Sequence, residues 1–312
     1  MTKSFTRFAA AVLAFNLAVI LWGAFVRASG SGAGCGNHWP LCNGVAVPQS
    51  PAVATMIEFT HRVMSGLDVV AVGILLIWAF RAFPRRHPVR LGAVLSAIFL
   101  ASEALIGAAL VKLEQVAQNA SVGRAYSLSG HLINTLTLLA CLTLTVWWSR
   151  GGAPLRLRNR AVWLAAAGVL LFVLVGISGA IAALGDTLFP ARSLAEGFRQ
   201  DFNPAASIFL RLRLLHPMLA VATAAWLAFY AFLYRRWSLL ILVALQVGAG
   251  AVNLVLLAPI WMQMVHLLIA DLVWISLVLL CASTLQAPPV SADRSGDEMG
   301  PLLGHLERVG PK

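Results

Sequence analysis

The sequence contains few charged residues, and few of these are acidic. Only 11% of its 312 residues are Asp, Glu, Lys or Arg, and the acids number 12, whereas 60% of the residues are hydrophobic. A soluble domain carries about 25% charged residues and about 50% apolar ones. So few charges cannot solvate the surface of a 33.3 kDa globule. The composition therefore excludes a cytosolic enzyme, a disordered protein and a small disulfide-stabilised scaffold.

The sequence contains long hydrophobic runs. About 20 apolar residues are needed to cross the core of a bilayer as a helix. Eight such runs are present, at 8–27, 57–81, 91–112, 127–148, 161–184, 209–233, 238–257 and 262–285. The first run is long, lacks an A-x-A cleavage site and continues into Arg27, so we interpret it as a retained helix rather than a signal peptide. The sequence thus predicts an all-α integral membrane protein with eight transmembrane helices.

The basic residues predict the orientation of these helices. A net charge of +11 would suggest nucleic-acid binding in a soluble chain. Most of the bases, however, lie in loops on one side of the predicted membrane, among them Arg81, Arg85 and Arg86. The positive-inside rule places that side, and both termini, in the cytoplasm. We therefore expect no nucleic-acid partner. We also predict a disordered cytoplasmic tail at 287–312, because this segment is polar and contains Pro and Gly.

The second half of the chain, 151–286, repeats the first half, 1–150. Each half has one histidine near the start of its second hydrophobic run and one near the start of its fourth. These are His61, His131, His216 and His266. An internal repeat of this kind places equivalent sites in both copies. The sequence therefore predicts two pseudo-symmetric four-helix bundles with one histidine pair in each.

The four histidines are all predicted at one depth, close to the outer face. Ionisable groups within a membrane span are candidates for function. Neutral imidazole is an axial ligand of haem iron, and facing helices of a bundle can hold a haem between them. Zinc fits less well, because neither half has Cys or carboxylate groups that would complete a tetrahedron. The pattern predicts two bis-histidine haem sites, and interhelical hydrogen bonds of the imidazoles are the alternative.

Charged residues distinguish the two histidine pairs. Glu58 lies three residues before His61 on the same helical face, and Arg213 has the equivalent position before His216. This difference predicts carboxylate chemistry at the first site and anchoring of a haem propionate at the second. The alternatives are an acid favoured by the dipole at a helix N-terminus, and arginines, including Arg62, that extend to the membrane interface.

Small and polar residues are expected around the pairs. Glycines on the odd-numbered helices would let a flat macrocycle approach the backbone, or would serve ordinary helix packing. They are Gly23, Gly107, Gly176, Gly179, Gly248 and Gly250. Asp68, Glu103 and Asn134 are candidates to support the sites from behind the ligands, whereas Asp271 is expected to face a neighbouring helix.

The first outer loop contains two cysteines, in Cys35-Gly-Asn-His-Trp-Pro-Leu-Cys42. Two thiols at this spacing outside the membrane face an oxidising compartment, which favours a disulfide that closes the loop over the first histidine pair. A redox-active pair and two free thiols are the alternatives. Cys141 and Cys281 lie within spans and are expected to behave as small apolar residues.

Three segments carry a resemblance to a known family. They are Gly23-Ala-Phe-Val-Arg27-Ala-Ser-Gly30-Ser-Gly32, Cys35 to Cys42 as given above, and Glu58-Phe-Thr-His61-Arg62. With the eight helices, the duplicated halves and the four histidines, they resemble the haem A synthase family over about residues 1–285. The resemblance implies an enzyme that oxidises the C8 methyl of haem O to a formyl group by successive hydroxylations. Its product, haem A, serves terminal oxidases.

The resemblance also implies a role for each half. The first half would bind the substrate haem O through His61, His131 and Arg62, with Glu58 as the catalytic carboxylate. The second half would bind a haem b cofactor through His216, His266 and Arg213. The cysteines Cys35 and Cys42 would take part in redox exchange or in receiving substrate. The implied partners are a haem O synthase and the assembly machinery of terminal oxidases. The implied location is a bacterial-type plasma membrane, with the haem sites near its outer face.

Two features depart from this family. Some relatives carry a second cysteine pair after the fifth helix, whereas the stretch 185–192 has none here. His216 is followed by Pro217 rather than Arg, and a proline within the span predicts a kink. Two other functions stay open, a transmembrane haem b electron carrier and a haem transporter or chaperone for oxidase assembly. The acid Glu58, present in one half only, favours the synthase.

Overall fold

The structure is a computed structural model that describes residues 2–156 and 161–286. The tail predicted to be disordered, 287–312, lies outside the described residues. The described helices are α1 (Thr2–Ala28), α2 (Val53–Ala82), α3 (Pro88–Lys112), α4 (Val122–Ser149), α5 (Ala161–Leu188), α6 (Leu194–Phe202), α7 (Ile208–Arg213), α8 (Leu215–Leu233), α9 (Trp237–Val255) and α10 (Ile260–Leu285). With α7 and α8 taken as one span, eight are long and apolar enough to cross a membrane. The predicted all-helical, multi-pass membrane fold is confirmed.

Most of the helices extend a few residues beyond the apolar runs that predicted them. Helix α1 begins at Thr2 instead of residue 8. Its first turns are packed, since Phe5 is fully buried in edge-to-face contact with Trp78 and Phe83. An apolar run marks the part of a helix that faces lipid or core, whereas backbone hydrogen bonding continues through flanking residues that tolerate a helix.

The sixth span is interrupted at Leu214, between α7 and α8. Pro217 explains the position of the break. Proline has no N–H, so the carbonyl of Arg213, four residues earlier, has no helical donor there, and the ring crowds that carbonyl. The interruption falls two residues before His216, in the segment where the proline predicts a kink.

The four long helices of each half form a bundle. Helices α2 and α4, which carry His61 and His131, each pack against both α1 and α3. They therefore lie at opposite corners of the first bundle and face each other across its centre. In the second half, α8 and α10 likewise each pack against α5 and α9. This arrangement puts the two histidine-bearing helices of each bundle across its interior from one another, as a group bound between them requires.

The two bundles meet through α4, which packs against α5 and α10, and through α1, which packs against α10. Trp274 of α10 donates its Nε1–H to the Leu136 carbonyl of α4 at 2.8 Å. Arg27, at the end of α1, donates to Oε1 of Gln263 at 3.2 Å. The interface is thus held by packing along the spans and by polar contacts across the halves.

Candidate functional site: two histidine pairs

The second histidine pair has a spacing that suits a bound haem. The ring centroids of His216 and His266 are 6.4 Å apart and the ring planes are nearly perpendicular, at 86°. An imidazole nitrogen lies about 2 Å from a metal ion that it ligates. Two imidazoles on opposite faces of one haem iron therefore have centroids about 6 Å apart. The second pair fits this requirement.

The His216 ring is held by its Nδ1. This nitrogen lies 3.2 Å from the carbonyl oxygen of Val175 and 3.2 Å from Oγ of Ser178, both on α5. A histidine ligand commonly donates its second ring N–H to a carbonyl, which fixes the tautomer and leaves the other nitrogen for the metal. The α5 contacts thus leave Nε2 of His216 available to a metal ion.

The first pair is less fully bonded. His61 lies on α2 and His131 on α4, the two helices that face each other across the first bundle. The Nδ1 atoms of both rings, like that of His266, are buried and form no hydrogen bond within the described part of the chain, although Oε1 of Glu103 lies 3.4 Å from Nδ1 of His131. Buried polar atoms without a partner call for an explanation, such as a bound group that fixes the rings from their other side. The unpartnered nitrogens are consistent with imidazoles whose Nε2 atoms bind iron.

Three glycines bring helix backbones against the imidazoles. A Cβ added at Gly23 would lie 2.9 Å from Cε1 of His61, and one at Gly179 would lie 2.9 Å from Cε1 of His216. At Gly250 the corresponding distance to Cε1 of His266 is 3.1 Å. The other glycines that the sequence singled out do not touch these rings. Added Cβ atoms at Gly107 and Gly248 would meet no described atom within 4 Å, and at Gly176 would meet Leu132.

Gly23→Ala is therefore expected to displace the His61 ring and to lower haem binding in the first half. The matched control is Gly73→Ala on α2, where a Cβ would meet no described atom within 4 Å. Haem content and the absorption spectrum of the purified proteins measure the effect. If the haem content of the first half were equal in both variants, Gly23 would not be needed to position His61.

Glu58 lies beneath the cysteine loop. It is 4% exposed, and its Oε2 accepts a hydrogen bond from the backbone N–H of Cys35 at 2.9 Å. Its Oε1 pairs with Arg62, which donates from Nε at 3.1 Å and from Nη2 at 2.5 Å. Arg62 also donates from Nη1 to the carbonyls of His38 and Leu41. The sequence predicted Glu58 and Arg62 beside His61, and the structure ties both of them to the loop.

Cys35 and Cys42 form a disulfide. Both are buried, with exposures of 0% and 1%. The bond closes the short loop whose backbone contacts Glu58 and Arg62, so the loop covers the carboxylate of the first site. The disulfide predicted as the favoured state of the two cysteines is confirmed.

Arg213 has two acidic partners that the sequence analysis missed. Its Nη1 donates to Asp186 at 2.6 Å, and its Nε and Nη2 contact Asp201 at 2.9 and 2.6 Å. Nη2 also lies 3.4 Å from the carbonyl of Gly197. A guanidinium has five N–H donors, and these contacts engage most of them. Anchoring of a haem propionate by Arg213 stays a prediction.

Asp201 comes from α6, a short helix in the outer loop of the second half. A signal for α6 is present in the sequence, since Ser193 and Glu196 have the spacing of a capping box. Ser193 Oγ accepts from the N–H of Glu196 at 3.2 Å. Each half thus fastens its outer loop to the position three residues before its first histidine. Glu58 accepts from the loop in the first half, and Arg213 donates to it in the second.

Two other polar residues have places apart from the histidines. Asp68 is fully buried and accepts a hydrogen bond from Asn16 of α1 at 2.6 Å. Asp271 is 3% exposed, and its Oδ2 has no hydrogen-bond partner among the described residues. No group of three or more His, Cys, Asp or Glu in residues 2–156 and 161–286 has an arrangement that could hold a metal ion. Two imidazoles that face each other across a bundle are an arrangement that can bind the iron of a haem from both sides.

Fold and site together define a multi-pass helical membrane protein with two diagonal histidine pairs, one of them covered by a disulfide loop and a buried carboxylate. A family model described as "Cytochrome oxidase assembly protein" matches residues 6–278. A "Heme A synthase" of Geobacillus kaustophilus is 45% identical over 111 residues, 36% of this chain and 35% of that protein. A "Heme A synthase" of an Exiguobacterium species is 39% identical over 115 residues, 37% of this chain and 38% of that protein.

A longer match is a "Protoheme IX farnesyltransferase" of Thermus thermophilus. It is 47% identical over 288 residues, which make up 88% of this chain and 47% of that protein. The chain spans about half the length of this curated relative. Because the family model covers most of the sequence, the chain belongs to the haem A synthase family, as the sequence motifs predicted.

Proposed function

We propose that the protein is a haem A synthase, which oxidises the C8 methyl of haem O to a formyl group. The observation that carries this proposal is the asymmetry of two otherwise equivalent histidine pairs. Only the first has a buried carboxylate, Glu58, one helical turn before its first histidine and beneath a disulfide loop. A symmetric electron carrier has no need of an acid in one half only. The named relatives of the family support the same interpretation.

The proposed reaction oxidises the C8 methyl carbon of haem O, whose C–H bonds are poor acids. Conversion of a methyl to a formyl group removes four electrons. Each of two hydroxylations would replace one C–H bond by C–OH, with oxygen from water, and would release two electrons and two protons. The geminal diol would then lose water to give the aldehyde, and the four electrons would pass to an external acceptor. Carboxylate chemistry alone cannot oxidise a methyl group, so the redox chemistry is supplied by iron when haem is bound. Glu58 would either stabilise positive charge that develops at the methyl or accept a proton from water.

The proposal assigns substrate binding to the first half and cofactor binding to the second. In 1–150, His61 and His131 would hold haem O, and Arg62 would orient Glu58 through the ion pair between them. In 151–286, His216 and His266 would hold haem b, for which their 6.4 Å ring spacing is suited. The positive-inside rule would put both termini in the cytoplasm and both sites near the outer face of a plasma membrane.

The proposal also places the protein in a sequence of reactions. Haem O is protohaem that carries a farnesyl-derived chain, so a farnesyltransferase must supply the substrate. The Thermus relative bears such a name and is about twice as long as the stretch that this chain matches. We propose that the chain acts with a haem O synthase, and that terminal oxidase assembly takes up the product.

Coexpression with a haem O synthase, in a host that makes no haem A, tests the proposal. Haem extracted from the membranes and separated by chromatography should contain haem A. Membranes that yield only haem O and haem B in repeated trials would refute the synthase. An electron carrier or a haem transporter would give that same negative result while still binding haem.

A further inference from the structure

The histidines of the fourth spans have different neighbours in the two halves. Oε1 of Glu103, on α3, lies 3.4 Å from Nδ1 of His131. This nitrogen is buried and forms no hydrogen bond in the described part of the chain, so the carboxylate is the acceptor placed next to it. In the second half the equivalent position on α9 is Gln246. Its Nε2 lies 3.3 Å from Nε2 of His266, the other ring nitrogen, and Nδ1 of His266 forms no hydrogen bond in the described part of the chain. The second half thus has a neutral amide in place of the carboxylate and no acceptor next to Nδ1 of the histidine.

The carboxylate is held in place by residues of the histidine's own helix. Nδ2 of Asn134 donates to Oε2 of Glu103 at 2.5 Å, and the hydroxyl of Thr135 donates to Oε1. Asn134 is fixed in turn, because it donates to the carbonyl of Phe99 at 2.9 Å and accepts from Ser102 at 2.6 Å. Both oxygens of Glu103 thus have donors, and Oε1 is directed at the side of the His131 ring that bears Nδ1.

The second half lacks this support. The residues three and four positions after His266 are Ile269 and Ala270, where the first half has Asn134 and Thr135 after His131. Neither an isoleucine nor an alanine side chain can donate a hydrogen bond. The carboxylate and both of its supporting donors therefore occur as a set in one half, and all three are replaced in the other.

We infer that Glu103 is a positioning residue of the first site, where it orients His131 and lowers the reduction potential of the haem that His131 ligates. The inference rests on the proposed function, since it requires a haem in each half. An acceptor for the second N–H of a ligating histidine fixes the ring and raises the basicity of the ligand. A more basic axial ligand stabilises ferric over ferrous iron, and hydrogen bonding around the ligand is an established means of tuning haem potentials.

The direction of electron flow follows. A haem held by His61 and His131 would have the lower potential, and a haem held by His216 and His266 the higher one. The first would then be the electron donor and the second the acceptor. Electrons removed at the site of substrate oxidation would thus leave through the cofactor half.

Redox titration of the purified full-length protein tests the inference, in two matched backgrounds. His216→Ala with His266→Ala isolates the haem of the first half, and His61→Ala with His131→Ala isolates that of the second. In the first background, Glu103→Gln should shift the equilibrium toward ferrous haem about tenfold. This corresponds to a rise of about 59 mV in the reduction potential for one electron. In the second, Gln246→Glu should lower the potential. The electron paramagnetic resonance spectrum of the ferric haem should change in both variants. Glu103→Asp should have a reduction potential between those of the wild type and Glu103→Gln.

Asp68→Asn is the control, because it neutralises a buried acid whose partner is Asn16 rather than a histidine. An unchanged potential in Glu103→Gln, or an equal shift in Asp68→Asn, would overturn the inference and leave the proposed function intact. If Glu103→Gln loses its haem, Glu103→Asp decides the matter, because its shorter side chain withdraws the carboxylate from Nδ1 of His131 and the reduction potential must rise. A wild-type protein that is coexpressed with a haem O synthase and still has no haem in the first half would overturn the proposed function and the inference together.

Discussion

Replacement of Glu58 by glutamine is expected to stop the formation of haem A and to leave the haem of the second half in place. Glutamine has nearly the shape of glutamate, and its Oε1 can still accept the hydrogen bond from the N–H of Cys35. What is lost is the negative charge and the ability to take up a proton. A positioned acid or base contributes about 10²–10⁴-fold to a reaction. The ratio of haem A to haem O in coexpressing cells should therefore fall at least about 100-fold.

The control for this variant is Glu196→Gln, an equally isosteric change in the outer loop of the second half. The carboxylate of Glu196 accepts a hydrogen bond from the N–H of Arg192 before α6 and touches neither histidine pair, so haem A should form normally. Labelling of free thiols under denaturing conditions would reveal whether the Cys35–Cys42 disulfide of the Glu58→Gln variant has been lost. An intact disulfide and normal haem b, together with lost haem A, would locate the defect at the carboxylate. Loss of haem b in Glu58→Gln would contradict the proposed division between the halves.

The membrane-spanning part of the fold could be predicted from the sequence because the bilayer admits few structures. Within lipid every backbone polar group must be satisfied internally, so a run of about 20 apolar residues can only be a helix. The outer loops are not limited in this way. Asp186 and Asp201 lie 27 and 12 residues from Arg213, and no periodicity pairs them with it. The capping residues of α6 were present in the sequence, but the contact of Asp201 with Arg213 depends on how that loop folds back.

The histidine ligand candidates could also be predicted, since their spacing within the repeat and their depth are properties of the sequence itself. Which of the residues expected around them would contact the rings could not be predicted. Gly23 and Gly179 lie directly against imidazoles, whereas Gly107 does not. The difference lies in how packing rotates each helix about its axis. Glu103 was a residue without a defined partner until the contact of α3 with α4 brought it beside His131.

Replacement of His216 by alanine is expected to remove the haem b of the second half and, as a consequence, to abolish haem A formation. The His216 ring is fixed by Val175 and Ser178 on one side and by Gly179 on another. These contacts hold its Nε2 in one position, and alanine has no nitrogen to take that position. Alanine would leave the iron with His266 alone. Haem b content and the low-spin absorption bands, measured after expression in a host without haem O, should fall in His216→Ala.

The comparison with His61→Ala makes this prediction specific. His61→Ala should keep the haem of the second half and still yield no haem A, because it removes a ligand of the substrate. His87→Asn is the control, since His87 lies outside both pairs and asparagine can still accept the hydrogen bond that His87 takes from Val89 at the start of α3. If His61→Ala lost haem b and His216→Ala retained it, substrate and cofactor would occupy the opposite halves. The buried carboxylate Glu58 would then lie beside the cofactor, and its proposed action on the C8 methyl would have to be abandoned.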